Sequence, residues 1–155
     1  MQRSLLERAL TGLDTLARAR GRAARMAAHL AVGLEGEDAA FFHLLRNGYT
    51  VVARRWSSGD APGDLDLIAW KDDVLCLIEV KTRTARDLTP AEAAVDDHKR
   101  ATLRRLARRY IRQLPRAPSA VRFDVMSVYL VPGAAREITH FEGAFLLSAS
   151  TQQSM

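Results

Sequence analysis

The sequence predicts an α/β domain, a mixed β-sheet with helices on both faces. Three short β-branched or aromatic segments lie between residues 49 and 81, a long amphipathic helix follows, and the chain then returns to another apolar strand. A strand that returns after a helix of that length requires a crossover over a sheet face. The chain has 155 residues, 48% apolar and 26% charged, which is the size and composition of one globular domain with a real core. Aromatics make up only 6%, so aliphatic side chains must fill that core.

Residues 34 to 47 have helix composition, with Phe41, Leu44 and Leu45 available to a core, and Asn47-Gly48 supplies a stop. TVVARRW with the preceding Tyr49 reads as a first strand ending at Trp56. SSGDAPG is a loop broken by Gly59, Pro62 and Gly63. Asp64 to Trp70 reads as a second strand and Val74 to Lys81 as a third. Only Lys71-Asp72-Asp73 lies between them, so the two form an antiparallel hairpin. A polar loop runs to Pro90, and a helix starting near Pro90 or His98 extends to Leu114. Leu103, Leu106, Ala107, Tyr110, Ile111 and Leu114 form one apolar stripe on it, and Pro115 and Pro118 end it. Val121 to Val131 is apolar on both faces toward its end, as a covered central strand is, and Pro132-Gly133 turns the chain. The organisation expected is a basic helical extension over 1–33, the folded domain over 34–147 and a small, polar, disordered tail over 148–155.

The extension carries Arg3, Arg8, Arg18, Arg20, Arg22 and Arg25 against Glu7 and Asp14. No uninterrupted apolar region follows the charges, so a secretory signal is not expected. Its Arg richness suits an organellar transit peptide, against which the two acids count. The preferred reading is an extra Ala/Arg-rich helix with no assigned chemistry. Across the whole chain, 23 Lys and Arg face 18 acids, giving +5 and a pI near 10.0, which points to a polyanionic partner. Cys76 stands alone inside VLCLI, which excludes an internal disulfide and fits a small core residue in a reducing, cytoplasmic setting. No stretch reaches the roughly 20 apolar residues that span a bilayer.

The chemistry concentrates in the hairpin. Asp72 and Asp73 sit in its turn, where acids need no function. Asp66 and Glu79, by contrast, are embedded in Leu-Asp-Leu-Ile and Leu-Ile-Glu-Val, where a carboxylate is costly unless paired or bound to a cation. The hairpin sets them side by side, and Lys81 projects from the same face as Glu79 two residues away. Two hard-oxygen ligands suit Mg²⁺ or Mn²⁺, and a lysine there can orient or help deprotonate an attacking water. A salt bridge from Lys81 to Asp66 or Glu79 accounts for the same spacing, and on spacing alone the two readings weigh equally.

GDLDLIAW followed by CLIEVKTR resembles the PD-(D/E)xK nuclease motif, here Asp66 and then Glu79-Val80-Lys81. More of the chain resembles the uncharacterised YraN-type bacterial proteins: Gly36-Glu37 with Ala39 or Ala40, Gly48-Tyr49, Gly63 to Ala69, Ile78 to Arg83, Thr89 to Asp96 with Lys99, and Arg122-Phe123-Asp124-Val125. The match covers roughly residues 34 to 145, without the N-terminal thirty residues or the tail. That family is similar to archaeal Holliday-junction resolvases and other restriction-endonuclease-like folds. The resemblance implies an αβββαβ core and metal-dependent cleavage of DNA phosphodiesters. It makes Asp66 and Glu79 the metal ligands, with the Val80 carbonyl as a third, Lys81 the residue assisting water, and Glu37 an additional acid of the site. The family's usual Glu before the second-strand Asp is Asp64 here, a shorter side chain.

Each remaining candidate has a plain alternative. Glu37 also suits a helix N-terminus electrostatically, and Lys99 reads equally as a phosphate contact or a solvated helix charge. Residues 98 to 116 hold eight Lys or Arg and no acid. One basic face is often only solvated surface, yet eight uncompensated charges favour tracking of a phosphate backbone by Lys99, Arg104, Arg105, Arg108, Arg109 and Arg112. His29, His43, His98 and His140 lack ligand spacing and read as structural or surface residues. Trp56 and Trp70 read as strand-packing residues, with base stacking a second use open to Trp56.

The expectation is therefore a Mg²⁺- or Mn²⁺-dependent endonuclease acting on branched or structured DNA in repair, recombination or DNA uptake, with low sequence specificity. A resolvase must cut two strands, which favours a homodimer. The rival readings are a DNA-binding accessory protein that keeps the fold without efficient cleavage, and an RNA-processing nuclease.

Overall fold

The computed structural model describes residues 5–86 and 89–148, and the tail over 149–155 lies outside them. The order of elements is α1 (Leu5–Arg46), β1 (Thr50–Trp56), β2 (Leu65–Lys71), β3 (Val74–Arg83), a 3₁₀ turn (Ala91–Ala94), α2 (Asp97–Arg112), β4 (Ala120–Tyr129) and β5 (Glu137–Phe145). The strands form one five-stranded sheet in the order β1-β2-β3-β4-β5. β3 and β4 are parallel, joined by the α2 crossover, and the other three pairs are antiparallel. The mixed sheet of the α/β expectation is thus observed. The chain divides into two units, Met1–Leu34 and Glu35–Met155.

Both faces of the sheet are covered. On one, Leu103, Leu106 and Ala107 of α2 pack with Leu65, Ile68, Leu75, Leu77, Phe123 and Val125. On the other, Ala39, Ala40 and Leu44 of α1 pack with Leu67, Ala69, Cys76, Ile78, Met126 and Val128. The α2 stripe falls where its period places it. Leu45, expected in the core, is instead exposed, because the small residues Ala39 and Ala40 set the buried face and Leu45 lies one position past it.

Small residues let α1 approach the sheet closely. A Cβ added at Gly36 would overlap Thr82 Oγ1 and stand 2.8 Å from Thr82 Cβ, whereas Gly33 has nothing within 4 Å. Gly→Ala inside a helix gains about 1 kcal/mol from propensity, but overpacking costs about 1–3 kcal/mol, so the clash should win at Gly36. Gly36→Ala should lower the melting temperature and Gly36→Val should lower it further, while Gly33→Ala is neutral or stabilising. Equal melts for Gly36→Ala and Gly33→Ala would show that Thr82 yields without cost.

One boundary and one strand differ from expectation. The first helix does not begin at residue 34, since α1 runs from Leu5 to Arg46 and has no proline in that range to break it. It ends as expected: Gly48 takes φ 77°, and the amides of Gly48 and Tyr49 donate to the carbonyls of Leu45 and Leu44. The start of α2 is set by Asp96, whose side chain accepts the Lys99 amide. β5 has no counterpart in the sequence reading, because EITHFEGAF has a glycine and polar residues in place of an alternating pattern. Around Gly143 the β4–β5 register shifts. Gly143 has φ 65°, and its amide donates to Asp124 Oδ1 at 3.0 Å.

Candidate active site

The β2–β3 ladder runs from Lys71 opposite Val74 to Leu67 opposite Ile78 and stops there. One step further, the Val80 amide donates to the Asp66 side chain, Oδ2, at 2.7 Å. The carboxylate takes the place of a backbone acceptor where the two strands part. On its other edge β3 stays paired to β4, with Glu79 opposite Val125 and Lys81 opposite Ser127. Glu79 is thereby held on a fixed strand beside the parting strands.

Glu79 is only 4% exposed. Its Oε1 accepts from Lys81 Nζ at 2.9 Å and lies 3.2 Å from Lys99 Nζ, which α2 brings over the sheet. Its Oε2 is buried and has no hydrogen-bond partner among the described residues. The Lys81 ion pair therefore runs along β3 to Glu79. Asp66 is tied instead to backbone. Burial first, and then the charge of Glu79, push the Asp66 carboxyl up to about 7, against the Val80 amide and the Lys99 charge that favour its ionised form.

Two interacting carboxylates, one with an orphaned oxygen, offer a cation hard oxygen ligands beside the two lysines that already balance Glu79. The donor set is hard oxygen, as Mg²⁺ or Mn²⁺ requires. Among the described residues no three His, Cys, Asp or Glu side chains gather as a metal-holding group, so the site is not an all-protein cage. That suits Mg²⁺, which keeps waters and takes one or two carboxylates with substrate phosphate. Asp66 and Glu79 fit the role.

Glu37 is not brought into that pair. Its Oε2 accepts from Arg55 Nε at 2.5 Å, and Arg55 holds φ 47°, a left-handed conformation uncommon for a non-glycine residue. Arg54 likewise pairs with Asp38. Asp64 adds negative charge near both Asp66 and Arg55.

Lys99 joins the acid pair, whereas most of the α2 arginines hold loops. Arg104 Nε donates to the Leu146 carbonyl at 2.8 Å and Arg108 to that of Leu147 at 3.2 Å. The guanidinium of Arg104 also stacks over Phe145. Arg105 reaches the Pro62 carbonyl at 3.5 Å, and Arg109 pairs with Asp60. Arg104, Arg105 and Arg108 thus satisfy carbonyls that follow β5 or lie in the 57–64 loop, outside any ladder, and Arg109 a carboxylate of that loop. Arg112 is exposed.

A second polar cluster is visible only in the structure. The buried Asp124 accepts two hydrogen bonds from Arg122, at 2.8 and 2.9 Å, and lies 2.8 Å from His140 Nε2. Arg122 also donates to the Tyr49 hydroxyl at 2.9 Å, and that hydroxyl donates to Glu142 at 2.6 Å. Burial pushes the Asp124 carboxyl up, but His140, Arg122 and the Gly143 amide outweigh it and hold it below the ordinary range. The pattern Arg122-x-Asp124 is the only sequence signal for this cluster. His140 is structural, in line with its lack of ligand spacing.

Fold and site together define an α/β protein whose mixed sheet parts at an acid pair, a buried Glu79 and a half-buried Asp66, flanked by two lysines. Residues 36–128 match the Uncharacterised protein family UPF0102. The chain is 50% identical over 120 residues to a UPF0102 protein of Koribacter versatilis (strain Ellin345), covering 77% of this chain and 82% of that one. A UPF0102 protein of Solibacter usitatus (strain Ellin6076) is 43% identical over 113 residues, 73% of this chain and 84% of the relative. One from Porphyromonas gingivalis (strain ATCC BAA-308 / W83) is 40% identical over 131 residues, covering 83% and 95%. The chain belongs to the UPF0102 family, the family to which the YraN-type motifs pointed. Among the described residues no helix is long and apolar enough to cross a membrane.

Proposed function

We propose that this chain is a Mg²⁺- or Mn²⁺-dependent endonuclease that hydrolyses phosphodiester bonds in branched or structured DNA, acting in the cytoplasm as a homodimer. The observation that carries the reading is the Glu79 carboxylate, buried with one oxygen unpartnered, beside an Asp66 whose ionisation it opposes. A structural ion pair has no need of that second acid.

Asp66 and Glu79 would hold the cation, with the Val80 carbonyl beside them. When bound, the cation supplies Lewis-acid polarisation of the phosphate and acidifies a water. This chain's own residues do the rest. Lys81 places an ammonium at Glu79 Oε1, where it can donate to an attacking water or to a phosphate oxygen as negative charge develops. Lys99 brings a second ammonium to the same oxygen from α2, positioned to neutralise the phosphate. Burial of Glu79 keeps bulk water from screening these charges.

A second reading, a DNA-binding accessory protein without efficient cleavage, draws on the same ion pairs, because two lysines already balance Glu79. The test is a panel of labelled four-way junction, flap, duplex, single-stranded DNA and RNA with Mg²⁺, Mn²⁺ or chelator. Chelator-sensitive cleavage of branched DNA is expected. Binding without cleavage under every condition selects the accessory protein, and cleavage of RNA alone selects an RNA-processing nuclease.

A further inference from the structure

The chain's positive charge is unevenly divided. Residues 1–34 hold six arginines and two acids, which leaves 17 basic and 16 acidic residues for 35–155. The unit that carries the acid pair is therefore close to neutral, and four of its α2 arginines are committed to loop carbonyls or to Asp60. In the first unit, Arg18, Arg22 and Arg25 follow one another at helical spacing and are all exposed. Gly21 leaves a shallow groove between them and Ala17. No ion pair neutralises them among the described residues, although Asp14 lies one turn before Arg18. His29 continues the same row.

We propose that this arginine row on α1 is the chain's principal contact with nucleic-acid phosphates, a low-specificity electrostatic arm that supplies affinity while the second unit supplies the chemistry. The inference rests on the reading that the substrate is nucleic acid. Charge complementarity names the occupant. From Arg18 to Arg25 the helix rises about 10 Å, a length over which a duplex presents about six phosphate charges. A membrane surface fits less well. Away from the row the helix exposes Leu13, Leu16, Met26 and Leu30, but these are spread around it, Arg20 falls one turn after Leu16, and residues 5–34 contain no aromatic side chain to anchor in the interface.

The test uses the full chain carrying Arg18→Gln, Arg22→Gln and Arg25→Gln together. It is titrated against labelled duplex and four-way junction over a range of KCl concentrations, with chelator so that cleavage plays no part. The slope of log K against log salt should fall by about 0.9 for each phosphate that the variant no longer neutralises, equally for both DNAs, with helicity and melting temperature unchanged. The matching triple lysine variant, which keeps the charge, should retain the wild-type slope. An unmoved slope in the glutamine variant overturns the proposal, as does an equal fall in the lysine variant. It is also overturned if DNA binding is unmoved while binding to phosphatidylglycerol vesicles, or self-association of the chain, disappears. Salt-dependent binding through these arginines by a chain that never cleaves sustains the arm and removes the nuclease reading, so the two fail separately.

Discussion

Asp66→Asn and Glu79→Gln should each abolish divalent-dependent cleavage, by 10²-fold or more on the order seen when one preorganised electrostatic group is removed, while the chain stays folded. The two should differ in stability, and the sign follows from the charges. Asp66 titrates near 7 in the fold against an ordinary 3.8. Between those pH values the folded chain keeps a proton that the unfolded chain has released. Without metal, stability therefore falls as pH rises through that window, and the cost is fully present above it. Asn keeps an oxygen for the Val80 amide but carries no charge. Asp66→Asn in chelator should melt above wild type at pH 8, and the decline between pH 4 and pH 7 should flatten. Glu79→Gln removes the acid shared by Lys81 and Lys99, so it should melt below Asp66→Asn at the same pH. Mn²⁺ should raise the melting temperature of wild type and of neither variant. Calorimetry checks the same point: unchanged divalent binding in both variants would leave the acids as partners in an ion-pair network and nothing more.

Lys81→Ala should lower single-turnover cleavage on the order of 10²–10⁴-fold, as removal of acid–base assistance does, while metal and DNA affinity stay near wild type. The structure sharpens the contrast with a structural role. Because Lys99 Nζ lies 3.2 Å from the same Glu79 oxygen, loss of Lys81 alone does not leave that acid unpaired, and the melting temperature should move little. Removing both lysines leaves a buried carboxylate without a counter-charge, at a cost of roughly 3–5 kcal/mol. A thermal melt and a single-turnover assay on one preparation of each variant separate rate from stability. A large drop in melting temperature for Lys81→Ala alone, with no cleavage by wild type under any metal or substrate, would sink the enzyme reading and leave a DNA-binding module.

The central hairpin was legible in the sequence because its causes are local. A turn confined to Asp72-Asp73 leaves β2 and β3 little freedom of register, and that register places Asp66 and Glu79 on neighbouring strands with Lys81 two residues on. The α2 stripe was legible because its apolar period spans three turns, and the stop at Asn47-Gly48 because glycine accepts the left-handed cap. The resemblance to YraN-type proteins rested on these same local pieces. Other features depend on elements distant in sequence. Lys99 meets Glu79 only because the crossover lays α2 over the sheet, and a helix charge twenty positions away carries no mark of its partner. Four α2 arginines find their partners only where the 57–64 loop and the residues after β5 meet them, carbonyls for Arg104, Arg105 and Arg108 and the Asp60 carboxylate for Arg109. Asp124, Arg122, His140 and Tyr49 become one network only when β4, β5 and the chain after α1 converge. Periodicity and turn chemistry write secondary structure and short-range register into the sequence. Which charges neutralise each other is decided by tertiary packing, because an ion pair depends on distance in space.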